Sequence, residues 1–383
     1  MNRLKILMVT ETASGGGRKH IVDLLLGLDK SRYDITFVYS ARRADSTFIK
    51  NLDELKAANI NLVELFMERE LKPAADFRSF LELHKIIKKI KPDIIHLHAA
   101  KAGALGRLAA FLAGYKKIIY NPHGGSFHKF NDRLGFIYFL VEKLLATRNI
   151  HFVGVSEFAC NQFEETLHIR KDRNHLIYNG VDLKDSRNDE NAIRLKSGFN
   201  KDDFLVLLPA LFYPEKGHLN FLDSFSQLNE ELNPKIKILF AGNGPLEEKI
   251  KQKVNDLKLQ NIIFFLGFVQ EMETYFRTAD LVILPSLKEF LPYAILEAMS
   301  YCKPVLSTDT GSINEMIQHK INGELFSLND LSSLWKRINY FSDHPEELKQ
   351  MGNNSGNILK DKFSIAGMIG KTEELYDKLF YTS

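Results

Sequence analysis

Cysteine is scarce in this sequence of 383 residues, which contains only Cys160 and Cys302. The two cysteines lie far apart and neither belongs to a C-x-x-C pair, so the sequence excludes a disulfide framework and a cysteine-ligated metal site. Such cysteine usage is typical of a reducing compartment, and we expect a cytoplasmic protein.

Long apolar runs are also absent. The longest, residues 136–141 and 262–269, fall far short of the roughly 18 residues that a membrane-spanning helix needs. We therefore predict no membrane-spanning segment. The apolar residues Leu4–Thr10 are followed by Glu11 and a glycine-rich stretch, where a signal peptide would continue to a cleavage site, so we predict a first β-strand there.

Neither sign of charge dominates, since 51 Lys and Arg residues face 48 Asp and Glu residues and the formal net charge is +3 at pH 7. The charges are nevertheless distributed unevenly. Residues 1–180 contain 28 basic and 19 acidic residues, and the remainder contains 23 and 29. A basic half can attract nucleic acid, anionic lipid or a phosphate-bearing substrate.

Short apolar segments alternate with helical stretches, a pattern typical of parallel sheets covered by helices. A polar stretch at residues 182–200, least structured at 184–191, separates two such series. We predict one domain at residues 1–183, a second at 184–364, and a terminal helix at 365–383 that packs back on the first domain. The predicted strands are 4–10, 35–39, 61–65, 94–98, 117–121, 151–155, 204–209, 236–241, 262–266, 281–285 and 305–307. Doubly wound sheets bind ligands at the carboxyl ends of their strands, so we expect the site in a cleft between the domains.

The first predicted strand leads into a glycine turn that contains Gly15 and Gly16, and a helical pattern follows it. Backbone amides and the helix dipole at such a turn suit a phosphate or a sugar. The spacing is neither G-x-G-x-x-G nor a P-loop, which disfavours a nicotinamide cofactor or a nucleoside triphosphate. A tight turn without any ligand is the alternative.

Histidines follow two of the first-half strands. His96 and His98 lie two residues apart and thus on one face of a strand, and His123 lies in a glycine-loosened loop directly after the next strand. With His123 as a third ligand these residues could bind zinc, but no local carboxylate completes the set, so we predict no metal site. We expect His123 to contact a ligand, with turn stabilisation as the alternative.

The second half contributes a lysine and two glutamates. Lys216 lies in a loop after a predicted strand, where it either neutralises a diphosphate or is simply solvated. Glu289 and Glu297 are eight residues apart, and a helix that opens near Pro292 leaves Glu289 in the preceding loop with Glu297 inside the helix. One carboxylate can then bind hydroxyl groups while the first-turn amides face an anion.

Taken in order, these segments resemble the retaining glycosyltransferases of family four, which have the GT-B fold: α/β, with two Rossmann-like, doubly wound parallel-sheet domains that face each other across a cleft. The resemblance covers nearly the whole chain, and two stretches, at 101–107 and 122–127, resemble the subset that builds bacterial surface polysaccharides such as lipopolysaccharide or capsule. The matching motifs are S-G-G at 14–16 with His20, D-I-I-H-L-H at 93–98, K-A-G-A-L-G-R at 101–107, P-H-G at 122–124, V-S at 155–156, Y-N-G-V-D at 178–182, E-K-G at 215–217, G-N-G-P at 242–245 and residues 288–304.

The resemblance implies roles for the matching positions. Lys216, Glu289 and His123 are the implied catalytic residues: Lys216 contacts the diphosphate, Glu289 holds the donor sugar, and His123 borders both. The implied donor-binding residues are Gly15, Gly16, Asn243, Phe268, Val269, Phe290, Leu291 and Glu297, with Glu297 on the ribose, the Phe290 and Leu291 amides on the sugar, and backbone contacts to the base from 267–269. No metal or other cofactor is implied, and the sequence has no D-x-D motif at a strand end.

Two positions depart from the family pattern. Leu211 stands where the family usually has arginine, so one of two diphosphate cations is missing, which would cost about 2–4 kcal/mol of transition-state stabilisation. Phe290 stands where glycine is usual, so its side chain restricts φ or reshapes the sugar pocket.

We therefore expect an enzyme that transfers a sugar from a nucleotide diphosphate sugar, preferably a UDP-sugar, to a hydroxyl of a growing, lipid-linked glycan with retention. A UDP-sugar epimerase and a non-catalytic GT-B partner subunit are the alternatives. We expect no nucleic-acid partner. The helical spacing of Arg78, Lys85 and Lys89 favours reversible docking on the anionic inner face of the membrane, with a solvated helix face as the alternative.

Overall fold

The computed structural model describes residues 3–68, 70–123, 133–146, 149–184, 194, 198–228 and 231–381. The chain forms two compact units, residues 1–180 with 365–383, and residues 181–364. The division falls at 180/181 rather than at 183/184, because the backbone N–H groups of Val181 and Lys184 donate to Phe363 and Ser300 of the second unit, each at 2.9 Å. Most of the segment 184–191 lies outside the described residues.

The first unit is a parallel sheet of seven strands in the order β3-β2-β1-β4-β5-β6-β7. Its central strands are almost completely buried, as expected when helices cover both faces of a parallel sheet. The strands are β1 (Leu4–Thr10), β2 (Tyr33–Tyr39), β3 (Asn61–Glu64), β4 (Ile94–His98), β5 (Ile118–Asn121), β6 (Ile150–Gly154) and β7 (Asn174–Leu176). The helices are α1 (Gly15–Gly27), α2 (Ser46–Ala57), α3 (Pro73–Ile90), α4 (Ala100–Leu112), α5 (Arg133–Ala146) and α6 (Glu157–Leu167).

The second unit is a parallel sheet of six strands in the order β10-β9-β8-β11-β12-β13. Its strands are β8 (Phe204–Pro209), β9 (Ile236–Ala241), β10 (Ile263–Gly267), β11 (Leu281–Leu284), β12 (Val305–Thr308) and β13 (Gly323–Phe326). Its helices are α7 (His218–Phe225), α8 (Glu247–Asp256), α9 (Glu273–Thr278), α10 (Tyr293–Ser300), α11 (Ser332–Asp343) and α12 (Pro345–Lys362). The two parallel, helix-covered sheets confirm the predicted fold class of two Rossmann-like domains.

Every predicted strand is present, with shifts at the ends, but the sequence prediction missed β7 and β13. Both are edge strands without an apolar run. β7 has three residues, two of them Asn174 and His175. β13 begins with a glycine and contains Glu324, whose buried carboxylate pairs with Arg337 of α11 at 2.6 Å. An ion pair thus takes the place of the apolar side chain by which a buried strand is recognised.

The last helix, α13 (Ile365–Tyr381), belongs to the first unit and packs against α1. Its Tyr376 is completely buried, and the Tyr376 hydroxyl forms a 2.8 Å hydrogen bond with Nδ1 of His96 on β4. At the surface, Asp377 pairs with Arg32 at 2.7 Å. None of the described helices combines the length and the apolar character that a bilayer span requires.

Each sheet has one point where successive strands begin to be added on the opposite side. It lies between β1 and β4 in the first sheet and between β8 and β11 in the second. In doubly wound sheets the crevice for the ligand opens at this point, beyond the carboxyl ends of the strands. The loops that follow these four strands are therefore where functional side chains are expected.

Candidate functional site

The loops after β8 and β11 bring together two predicted catalytic residues of the second unit. Nζ of Lys216 lies 2.7 Å from Oε1 of Glu289, and the Glu289 side chain is largely buried while that of Lys216 is partly exposed. The strands that position them are neighbours in the sheet, although the residues are 73 positions apart in sequence. A lysine and a carboxylate thus share the switch point of this sheet.

Helix α10 begins at Tyr293 with Pro292 as its N-cap residue, which confirms the predicted helix start. Glu289 lies in the preceding loop and Glu297 lies inside the helix, where it is half-buried. The first-turn amides of α10 lie at the N-terminus of the helix, the end of the helix dipole that attracts negative charge. Both carboxylates flank this helix start in sequence, as predicted.

Hydroxyl groups from the end of β12 and the loop after it fix the segment that contains Glu289. The Thr308 and Thr310 hydroxyls donate to the carbonyl groups of Ser286 and Leu287, the second at 2.9 Å, and the Ser312 hydroxyl donates to that of Phe290. Sequence reasoning missed these positioning residues. The available signal in the sequence was the hydroxyl side chain at every second position from the end of a buried strand, at Thr308, Thr310 and Ser312.

Two glycines allow the backbone to pack closely at the Lys216–Glu289 pair. Gly311 has φ of 59°, and a Cβ there would lie 1.9 Å from the carbonyl oxygen of Glu289. Gly217 has φ of 73°, and its Cβ would lie 1.9 Å from the carbonyl oxygen of Pro285. Only glycine fits either position, because a side chain would collide with backbone and the conformation disfavours other residues.

The loop after β9 packs against the loop after β8. The carbonyl oxygen of Asn243 accepts from the N–H of Phe212 at 2.8 Å, and a Cβ on Gly242 would lie 2.1 Å from the carbonyl oxygen of Ala210. The exposed Asn243 side chain is therefore held at the end of β9, beside the loop of Lys216. After β10, Phe268 is exposed and Val269 half-buried, and Gly267 has φ of 67° with open space around it.

The two departures from the family pattern have different structural consequences. Leu211 is exposed at the end of β8 and supplies no charge. Lys288, which directly precedes Glu289, is a second cation in these loops: its Nζ lies 5.8 Å from the centre of the Phe290 ring, and burial lowers its pKa. Phe290 is not among the described non-glycine residues with positive φ, so its side chain adds no left-handed strain, and Leu291 is buried beside it.

In the first unit, the predicted glycine turn follows β1 and opens helix α1. Gly15 has φ of 61°, and a Cβ at this position would meet no described atom within 4 Å, so the turn leaves space in front of the first amides of the helix. Gly16 is the second residue of α1. The turn thus supplies bare backbone donors, as a sugar or phosphate site requires.

Four histidines converge near the carboxyl ends of β1, β4 and β5. Nδ1 of His98 lies 2.9 Å from Nε2 of His123, and the rings of His20 and His123 have their centres 4.5 Å apart. The rings of His96 and His98 are 4.1 Å apart. His20 lies one turn into α1, so three separate segments form this histidine cluster of His20, His96, His98 and His123.

Burial keeps the histidine cluster neutral. It lowers the pKa of His20 to about 4 and that of His96 to about 3, because the charged imidazolium loses solvation. The pKa values of His98 and His123 are lowered well below the usual range for the same reason, and neighbouring imidazoles add to the effect. Neutral rings can donate or accept hydrogen bonds but contribute no positive charge to a bound anion.

The cluster also bears on metal binding. Ring nitrogens of His20, His98 and His123 lie within 4.8 Å of one another, close enough to ligate one ion. This set differs from the one considered from sequence, because His96 is directed to Tyr376 instead and His20 takes its place. That the enzyme binds its sugar donor without a metal stays a prediction.

The backbone at this edge is strained. His123 has φ of 52° and Ala99, which follows His98, has φ of 65° with ψ of 177°. Such conformations persist where surrounding contacts enforce them, commonly at functional sites.

Glu11, directly after β1, accepts from the N–H groups of Lys101 and Ala102 at 2.9 Å and so caps α4, while burial raises the pKa of Glu11. Sequence reasoning missed this capping role.

Comparisons with known proteins agree with this architecture. Residues 14–185 match the family model described as Glycosyltransferase Family 4, and residues 189–357 match the one described as Glycosyl transferases group 1. The Escherichia coli UDP-Gal:alpha-D-GlcNAc-diphosphoundecaprenol alpha-1,3-galactosyltransferase is 27% identical over 314 residues, 80% of this chain and 81% of that relative. The Bacillus anthracis N-acetyl-alpha-D-glucosaminyl L-malate synthase is 24% identical over 313 residues, 79% of each chain.

Solved structures show the same fold. The crystal structure of Anabaena HepE in complex with UDP-glucose superposes with a TM-score of 0.82 and 21% identity, covering 98% of this chain and all of that one. WaaG, a glycosyltransferase of lipopolysaccharide biosynthesis, superposes with a TM-score of 0.73 over 97% of this chain. This chain is a glycosyltransferase of the GT-B fold, with a Family 4 domain followed by a group 1 domain.

Proposed function

We propose that this glycosyltransferase is a retaining enzyme that transfers a sugar from a UDP-sugar to a hydroxyl group of a lipid-linked surface glycan. The Lys216–Glu289 pair before helix α10 carries the proposal, because it places a cation and a sugar-binding carboxylate 2.7 Å apart. Two comparisons support the choice of substrates. HepE has been crystallised with UDP-glucose, and the Escherichia coli relative is named for transfer from UDP-Gal to a GlcNAc-diphosphoundecaprenol.

In the proposed reaction, Lys216 neutralises the charge that develops on the leaving diphosphate, with help from the first amides of α10. Glu289 accepts hydrogen bonds from hydroxyls of the donor sugar, and Glu297 accepts them from the ribose. The bond between the anomeric carbon and the diphosphate breaks while the acceptor oxygen forms its bond on the same face. The acceptor proton passes to a diphosphate oxygen, so the reaction needs neither a protein base nor a metal.

The first unit offers neutral hydrogen-bonding groups of its own. Gly15 and Gly16 offer backbone N–H groups, and His123, held by His98 at 2.9 Å, offers a ring nitrogen to a sugar or phosphate oxygen. Because burial keeps these rings uncharged, they orient the donor by hydrogen bonds rather than by charge. The positive charge in the proposed scheme comes from Lys216 of the second unit.

A lipid-linked acceptor places the enzyme at the inner face of the membrane. Arg78, Lys85 and Lys89 are exposed on α3 and suit an anionic leaflet, to which each contributes about 1 kcal/mol. Co-sedimentation with anionic vesicles should therefore decrease as salt rises, whereas equal sedimentation with neutral vesicles would contradict this docking.

The proposed function is tested by incubating the full chain with a panel of UDP-sugars and GDP-sugars, with and without a lipid-linked acceptor and in excess EDTA. We expect transfer from one UDP-sugar that persists with EDTA and retains the anomeric configuration. Lys216→Ala is the matched inactive control. Interconversion of the sugar without transfer would indicate an epimerase, and no turnover of any donor would indicate a non-catalytic subunit. Activity abolished by EDTA and restored by one divalent metal would overturn the metal-free mechanism.

A further inference from the structure

Helices α3, α4 and α5 expose an unusual amount of apolar surface. The exposed fraction reaches 61% for Phe77 on α3, 66% for Leu112 on α4 and 71% for Leu144 on α5. These helices pack side by side, α3 on α4 and α4 on α5. Contiguous exposed apolar surface of this kind marks a binding surface rather than an ordinary solvated face.

A groove of about 730 Å³ runs between the three helices. Phe77 and Phe80 line it from α3, Leu108 and Leu112 from α4, and Leu144 from α5. Among the described residues, the one charged side chain in its lining is Asp76, at the beginning of α3. The groove is thus an apolar channel with a single polar end, a shape that suits a chain of hydrocarbon with a polar head.

The polar end of the groove points toward the carboxyl edge of the first sheet. The carboxylate of Asp76 binds Nζ of Lys101 at 2.7 Å, and Lys101 is the second residue of α4. Two residues before this helix lies His98 of the histidine cluster. From there the groove follows α4 from Leu105 to Leu112, about 10 Å at 1.5 Å per residue.

We propose that this groove binds the hydrocarbon chain of the lipid-linked acceptor, specifically a prenyl chain. The inference rests on the proposed function for the existence of a lipid-linked acceptor. Charge complementarity supports an anionic lipid, because the exposed basic residues Arg78 and Lys143 are next in sequence to Phe77 and Leu144 of the lining. Each methylene that enters the groove strengthens binding about fourfold.

Titration calorimetry with soluble prenyl monophosphates tests the proposal directly, without any need for turnover. The full chain is titrated with compounds of one and of four isoprene units, below the concentration at which they form micelles. We expect the longer compound to bind at least a hundredfold more tightly. Leu112→Gln and Leu144→Gln should each weaken that binding about tenfold, since a polar group then lines the apolar channel.

The matched control is Ile49→Gln, which replaces a similarly exposed apolar residue on α2 of the same unit, 52% exposed, and should bind like the parent. All variants should keep the parent affinity for UDP, which shows that they are folded. Equal binding of the two prenyl phosphates, or groove variants that bind as the parent does, would overturn the proposal. So would variants that lose only vesicle binding, because the face would then be a membrane-docking surface. Absence of sugar transfer alongside intact prenyl binding would refute the proposed function and leave the groove site standing.

Discussion

Gly311→Ala should inactivate the enzyme although residue 311 contributes no side chain to the site. The added Cβ would lie 1.9 Å from the carbonyl oxygen of Glu289 and 2.9 Å from its carbonyl carbon. Both are backbone atoms, so no side-chain rotation can relieve the collision. The loop that contains Glu289 or the loop that contains residue 311 must move.

The size of the effect follows from this geometry. An ordinary carbon–oxygen contact is about 3.5 Å, so the two loops must separate by more than about 1 Å. A displacement of 1 Å at a catalytic group can cost about a hundredfold in rate. The left-handed conformation, with φ of 59°, adds about 1 kcal/mol of strain for alanine. We expect kcat/KM to fall about a hundredfold and the free energy of unfolding to fall by about 1–3 kcal/mol.

Steady-state kinetics with the donor identified by the panel measures this change, and calorimetry with UDP separates it from global damage. UDP affinity should stay within a few-fold of the parent, because Glu297 lies on α10 and not on the displaced loop. Gly114→Ala is the matched control, with φ of 82° but no described atom within 4 Å of the new Cβ, and it should cost stability without affecting kcat/KM. Parent-like turnover by Gly311→Ala would refute the role that we assign to Glu289.

Glu297→Ala should lower UDP affinity about ten- to a hundredfold in calorimetry, since two ribose hydroxyls lose a charged partner; unchanged affinity would remove Glu297 from the site. Lys216→Ala should lower kcat/KM by about two to three orders of magnitude, and Leu211→Arg should raise turnover by restoring a second cation; an arginine without benefit means that another residue, such as Lys288, already supplies that charge. The free energy of unfolding should fall as pH drops below 6.5, because histidines protonate in the unfolded chain while His20 and His96 stay neutral in the folded one. At pH 5 each accounts for about 2 kcal/mol, and denaturant titrations that show no change between pH 7 and pH 5 would contradict it.

The strands and the start of α10 were predictable because their signals are local. A strand buried on both faces is expected to be mostly apolar, and β8 (Phe204–Pro209) is apolar throughout, while β1 keeps the apolar run Ile6–Val9. Pro292 fixes the helix start by its own backbone restriction, which separates Glu289 from Glu297. β7 could not be recognised in this way, since this edge strand has only three residues and no apolar run.

The contacts that assemble the site were not predictable, because they depend on the order of strands in each sheet. Lys216 meets Glu289 only because β11 pairs with β8, and the sequence of neither segment indicates that these two strands are neighbours. His20 joins His98 and His123 because β4 inserts next to β1, so a residue noted only as part of a glycine motif becomes part of the histidine cluster. The family resemblance supplied the implied roles, and it did not include the loop supports Thr310 and Ser312.

The contacts that hold the Glu289 loop explain why the proposed mechanism depends on Lys216. Hydroxyl-to-carbonyl bonds and close glycine packing fix the Glu289 loop. None of these interactions carries net charge. Lys216 forms an ion pair with the Glu289 carboxylate. The oxygen atoms of a bound diphosphate are also negatively charged, so they can compete with that carboxylate for the Lys216 ammonium group. In the proposed mechanism Lys216 stabilises the charge of the leaving group, and an added cation at the exposed Leu211, in the same loop, should therefore raise turnover unless Lys288 already supplies that charge.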